Sequence, residues 1–468
     1  MAFFIMKRIY FFTLAFMLSI LSCRTTVTEN PVQHSVITQN PDSDIVQLVQ
    51  KMTLRQKIGQ VMLVNFRYCR LSEAESNFSQ ATDFENFDGN IVKVVPLDKV
   101  NATVCAAIKN YHIGNIILFA ENMKDTGNAL KMISEMQLLA KENNDIPLII
   151  GIDQEGGRVN RIFQTEIFPA AKKIGDTKNL QYAFREGQCI AEQLDAFGIN
   201  LDFAPVCDVF SNPQNPVIGD RSFSSNPETA GLFASSFKDG IKSRNVISCA
   251  KHFPGHGDTD TDSHIGLPQI KKTKAQWLSC EAIPFKINIE QNIPMIMSAH
   301  IQYPLLDSSK IKADKTGQFI TRPATLSKKI LTDILRNELN FKGVIVTDAL
   351  DMKAITNNFS ESHAVIEALN AGADLVCNPI SIIQKSDIAR LEDLYVKIEQ
   401  AVKSNVLSES RLDHAVFRIL KLKKEYGILD RTFEPVTNQD IKKAEIRLKN
   451  PEYKRLSAEI TASLSKNR

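Results

Sequence analysis

The chain has 468 residues, 43% hydrophobic and 23% charged, with a formal net charge of +3. This is an ordinary globular composition. The near-neutral balance, with no block of Lys or Arg, gives no electrostatic case for a nucleic-acid partner.

The N-terminus reads as a targeting segment. "MKRIYFFTLAFMLSILSC", Met6 to Cys23, has a basic pair at Lys7 and Arg8 and then an apolar run from Ile9 to Leu21. That is a signal-peptide layout, and the run is short for a membrane span. Cys23 sits at the cleavage distance, as in a bacterial lipoprotein box. The arrangement predicts that residues 1–22 are removed and Cys23 is acylated; a plain signal peptide with a chance cysteine is the alternative. Residues 24–44 are polar with two prolines and read as a tether.

Eight apolar runs follow: "IGQVMLVNF" from Ile58, "IGNIILFAEN" from Ile113, "PLIIGIDQE" from Pro147, "INLDFAPVCD" from Ile199, "VISCAKHFPGH" from Val246, "PMIMSAH" from Pro294, "GVIVTDAL" from Gly343 and "ADLVCNP" from Ala373. Each is continuous rather than alternating, as strands of a parallel sheet covered on both faces are. Between them lie segments with helical spacing, such as "NALKMISEMQLLAKENN", "ETAGLFASSFKDGIKS" and "LSKKILTDILRNEL". Strand and helix repeated eight times predict a (β/α)8 TIM barrel, with residues 45–429 as one catalytic domain. An open doubly wound sheet is the alternative, but no Gly-rich phosphate loop follows the first run. "RLDHAVFRILKLKKEYGIL" predicts a final helix ending near Leu429, and residues 430–468 form a charged tail, helical in places and too short for a domain. Seven cysteines besides Cys23 show no pairing pattern.

Nearly every run ends in polar chemistry: Asp153 and Glu155, Asp202 and Asp208, Lys251 and His252, His300, Asp348, Asn378. In a TIM barrel these ends form the mouth where active sites lie. Turn and cap duties explain one or two aspartates; they explain a lysine and two histidines poorly.

The densest stretch is "KHFPGHGDTDTDSH", Lys251 to His264. Zinc fits badly, because Pro254 and Gly255 separate His252 from His256. Calcium fits badly too, because the alternating carboxylates lack the glycine and glutamate of an EF-hand loop. A solvated loop is the bland reading. The catalytic reading places Asp262 two residues before His264, where a carboxylate can fix an imidazole's tautomer and steady its charged form. Lys251 and His252, directly after "VISCA", belong at the mouth. The Gly-rich loop beyond them could carry His264 over a substrate. Asp348, closing "GVIVT", is the candidate carboxylate partner; capping a following helix is its other reading.

At this point "GIDQEGGRVNRI", "GDRSF", "KHFPGHGDTDTDSHIGLP" and "VIVTDALDM" together resemble family 3 glycoside hydrolases, and more narrowly the β-N-acetylglucosaminidase branch acting on peptidoglycan fragments. The resemblance runs from about Met52 to Leu429. It implies that Asp348 is the nucleophile of a retaining mechanism and that His264 is the acid/base with Asp262 as its partner. It implies that Asp153, Arg161, Arg221, Lys251 and His252 hold sugar hydroxyls. No metal or organic cofactor is implied. The segment Tyr68 to Asn101 is longer than the family usually shows, and the tail resembles the first helix of a second domain.

The expectation is therefore an exported, lipid-anchored, monomeric exo-β-N-acetylhexosaminidase of the cell envelope, acting on carbohydrate chains ending in N-acetylglucosamine. A β-glucosidase of the same family and a non-catalytic sugar-binding lipoprotein are the rival readings.

Overall fold

The computed structural model describes residues 42–74, 81–86, 89–259 and 266–466. Cys23, Asp262 and His264 lie outside the described residues.

All eight apolar runs contain a barrel strand: β1 Met62–Asn65, β2 Asn115–Ile117, β3 Ile149–Ile152, β4 Leu201–Asp202, β5 Ile247–Phe253, β6 Met295–Ser298, β7 Val344–Thr347 and β8 Val376–Cys377. Each pairs in parallel with its sequence neighbour, and β1 returns to β8 through Met62 and Val376. A parallel bridge between Val346 and Leu375 joins β7 to β8 and closes the ring. The sequence alternative of an open sheet is thereby excluded. Apart from Asn65, Asn115, Ser248 and the polar ends of β4 to β7, the strand residues are apolar and buried on both faces, which is why they read as nearly unbroken apolar runs.

The first run is half helix. Thr53 accepts from the Gln56 amide while the Gln56 side chain accepts from the Thr53 amide, a capping box that starts a helix at Leu54 and carries it to Val61. Ile58 and Val61 are buried on that helix, and the strand begins only at Met62.

The three helices read from periodicity are present over Thr126–Asn144, Pro227–Lys242 and Lys329–Glu338, the last wound as a π-helix. The helix Pro227–Lys242 lies tightly against Leu180–Phe197. A Cβ on Gly187 would meet the Phe237 carbonyl oxygen at 2.3 Å, and one on Gly240 would meet that of Phe184 at 2.1 Å. Only glycine permits this approach of the two backbones.

The structured unit begins slightly before residue 45: Ser43–Lys51 is a helix, and Asp44 pairs with Lys424 at 2.6 Å. The final barrel helix spans Glu409–Glu425, stopping short of Leu429. Two further helices, Asn438–Leu448 and Pro451–Lys466, bury Leu448, Tyr453, Leu456 and Ile460 against the barrel's own helices. The tail is thus packed onto the barrel.

The 68–101 insertion contains a three-stranded antiparallel sheet of Tyr68–Arg70, Ile91–Pro96 and Thr82–Glu85. The Asn122 side-chain amide donates to the Phe66 and Leu97 carbonyls, 3.0 Å each, and so staples together the two ends of this excursion.

Candidate active site

A cavity of about 350 Å³ opens at the C-terminal ends of the strands. Asp153, Arg161, Arg221, Lys251, His252 and Asp348 all line it, although they come from segments far apart in sequence. Two other hollows, of about 260 and 280 Å³, are smaller. They lie outside the strand-end site and are rich in ion-paired side chains such as Arg185, bound to Glu452, and Arg418, bound to Asp374.

One wall is an ion-pair network. The Lys251 ammonium, on β5, donates to Asp153 at 2.7 Å and lies 2.7 Å from Glu155. Arg221 grips Glu155 with two bonds of 2.8 Å, and Arg161 reaches Asp153 more loosely at 3.7 Å. Burial pushes the Glu155 carboxyl up, but the Arg221 and Lys251 charges outweigh it and hold the group well below the usual carboxylate range. The same carboxylates lift Lys251 above the usual lysine range despite its burial.

A second bracket holds His252. Its Nδ1 lies 2.6 Å from Asp208, which also accepts from the backbone amides of His252 at 3.2 Å and His256 at 2.6 Å. With Nδ1 donating to a carboxylate, Nε2 is left toward the cavity, 3.5 Å from Arg221. His256 lines the cavity as well; burial and the neighbouring His252 push its imidazole down to about 4.

Asp348 stands one residue past β7. Its amide donates to the Ser298 carbonyl at 3.0 Å, and its own carboxylate accepts from the Ala349 amide at 2.8 Å. No helix starts there; the next one begins at Lys353, so the capping alternative is excluded. Burial pushes the carboxyl up, yet His300, His252 and the Ala349 amide together bring it below its ordinary value. Among the described residues it makes no ion pair, so the charged oxygens are available to a ligand. His300 donates from Nε2 to the Ala349 carbonyl at 2.9 Å, which fixes the turn that aims Asp348.

Glu155 and Asp208 were legible as strand-end residues, but not their work as brackets under Lys251 and His252. Arg67 and Asp351 line the cavity without having been singled out at all. Arg67 is held by Glu121 at 2.9 and 2.7 Å. Asp351 is crowded by protein yet open to the water of the cleft, and burial together with the Asp348 charge raises its carboxyl to about 6. Its position three residues past Asp348 is the signal that could have found it.

The model of the glycosyl hydrolase family 3 N-terminal domain matches residues 53–422. The chain belongs to glycosyl hydrolase family 3. It is 38% identical to β-hexosaminidase A of Pseudoalteromonas piscicida over 417 residues, which cover 87% of this chain and 66% of that protein. It is 31% identical to a β-hexosaminidase of Nitrosomonas eutropha, over 64% of this chain and 81% of the relative. The family 3 β-N-acetylglucosaminidase from Paenibacillus sp. FPU-7 superposes with a TM-score of 0.69 at 30% identity, covering 85% of this chain and 68% of that one. Within family 3, the kinship is with glycoside hydrolases of the β-hexosaminidase type.

Proposed function

We propose that this chain is a retaining exo-β-N-acetylhexosaminidase that attacks the anomeric carbon through Asp348. The observation that carries this reading is the state of that carboxylate: rigid at a strand end, buried in the cavity, ionised and without an ion-pair partner among the described residues. A covalent glycosyl intermediate needs such a nucleophile.

The ion-pair wall supplies complementary hydroxyl recognition. Asp153 accepts from sugar hydroxyls, while Lys251 and Arg161 donate to them. Because Lys251, Asp153 and Glu155 constrain one another, the wall is ordered before substrate arrives, so less entropy is lost on binding. In this reading His264, with Asp262 as its dyad partner, protonates the departing oxygen. In the second step the same imidazole removes a proton from water, and the sugar leaves with its configuration retained. The relatives' names support N-acetylhexosamine as the terminal sugar, and peptidoglycan fragments are the source we favour, at a lipid-anchored station in the cell envelope.

Rates on 4-nitrophenyl N-acetylglucosaminide and 4-nitrophenyl glucoside test the reading. A clear preference for the first is expected. Equal or reversed preference would point to a β-glucosidase, and inertness on every β-glycoside would point to a sugar-binding protein.

A further inference from the structure

The carboxylates of the cavity are not equivalent. Asp153 and Glu155 are each within 2.7 Å of Lys251, and Glu155 is also held by Arg221. Asp208 is tied to His252. Asp351 lines the same cavity as Asp348, is exposed to its solvent, and makes no ion pair among the described residues. The guanidinium whose charge reaches Asp351, that of Arg67, is already matched by Glu121 in a two-bond pair. Asn378, which leans on Asp351 from the end of β8, is neutral and contributes no charge. Among the described residues, Arg67 and Glu121 offset one another on that side of the cleft, and Asp348 and Asp351 leave it a net negative charge that can meet whatever lies beyond the terminal sugar.

We infer that Asp351 is a specificity-determining residue that reads the charge of the aglycone. This rests on the glycosidase reading above and narrows its substrate class. The terminal sugar occupies the inner, ion-paired wall beside Asp348. The next unit of the chain leaves past the exposed groups of the mouth, where Asp351 is a carboxylate with no ion pair among the described residues. A carboxylate on that unit is repelled, a neutral unit is tolerated, and a protonated amine is attracted. The favoured substrates are N-acetylglucosaminides whose second sugar is neutral, carries a free amine, or bears a lactyl group whose carboxyl is amide-linked to a peptide, ahead of those whose second sugar carries a free lactyl carboxylate. The interaction crosses solvent, so salt screens it.

The test compares kcat/KM for three disaccharides with N-acetylglucosamine at the non-reducing end, β-linked to glucosamine, to N-acetylglucosamine or to N-acetylmuramic acid. At neutral pH and low ionic strength the wild-type protein is expected to rank them in that order, with several-fold steps that shrink as salt is added. Asp351→Asn is expected to bring the three ratios toward one another whatever its absolute rate, while Asp351→Glu keeps the order. Equal wild-type rates, a ranking insensitive to salt, or a ranking preserved in Asp351→Asn overturns the inference. So does inactivity on all three disaccharides when the aryl N-acetylglucosaminide is cleaved. Inactivity on the aryl glycoside as well overturns the glycosidase reading instead.

Discussion

Replacing Lys251 with Met is the most informative perturbation of the ion-pair wall. The lysine side chain is 2% exposed and lies 2.7 Å from both Asp153 and Glu155. Methionine fills similar volume without the charge, so cavity formation contributes little. What remains are two carboxylates, one of them fully enclosed. Removing one partner of a buried ion pair typically costs about 3–5 kcal/mol. Glu155 keeps both bonds from Arg221, while Asp153 retains only Arg161 at 3.7 Å. The loss should therefore fall near the lower end, roughly 3 kcal/mol at neutral pH. The sign with pH follows from the protons. Lys251 helps hold the folded-state Glu155 carboxyl below its unfolded value, so the stabilisation that the variant lacks is present above the carboxylate range and lost as the pH falls through it, and the variant's deficit narrows on acidification. Chemical denaturation of parent and variant at neutral and mildly acidic pH measures both quantities. A loss below about 1 kcal/mol, or a deficit that does not narrow on acidification, would show that these contacts are solvent-screened and that the wall is not the rigid element described.

Three other expectations follow from the same account. His264→Ala should slow cleavage strongly for glycosides with poor leaving groups and little for activated aryl glycosides, since only the former need a proton in the transition state; equal losses in steady-state kinetics would remove the acid role. Lys423 is fully buried, donating to Gln60 at 2.9 Å and to the Gly114 carbonyl at 3.0 Å, and burial pushes its ammonium down to about 7. Its folded pKa lies below the unfolded one, so its cost is greatest below about pH 7 and fades as the pH rises toward that of a free lysine. Relative to the parent, Lys423→Met should be at its best near pH 6, with the advantage shrinking in alkali; a pH-independent difference in denaturation midpoints would contradict this. Cys23→Ala should move the protein from the membrane to the soluble fraction, and unchanged partitioning would remove the lipid anchor.

The barrel was legible because strands covered on both faces must be apolar throughout, and their polar ends must then gather at one rim. That reasoning reached even β4 and β8, where regular pairing lasts only two residues. It misjudged the first run, since Ile58 and Val61 are as buried on a helix as they would be on a strand, and only the Thr53–Gln56 capping box separates the two. The insertion's hairpin is legible in the sequence as Asp-Gly at 88–89, and Gly89 has φ +75° with the Asn86 amide donating to the Asn90 carbonyl at 2.9 Å. The site residues Asp153, Lys251, His252 and Asp348 were readable because each lies within the last three residues of a strand or directly follows one. Arg67 and Asp208 were not assigned roles, because their contacts arise only from closing the ring. Asp208 serves His252, 44 positions away, and Arg67 reaches Glu121 across adjacent strand ends.

The most direct measurement is covalent trapping. The protein is incubated with a fluorinated, slowly turned-over N-acetylglucosaminyl substrate, digested, and the glycosylated peptide located by mass spectrometry. The account predicts a single added sugar on the peptide containing Asp348, absent in Asp348→Ala. A sugar attached to any other residue, or an enzyme that turns over natural glycosides with inverted configuration and never accumulates an adduct, would contradict it.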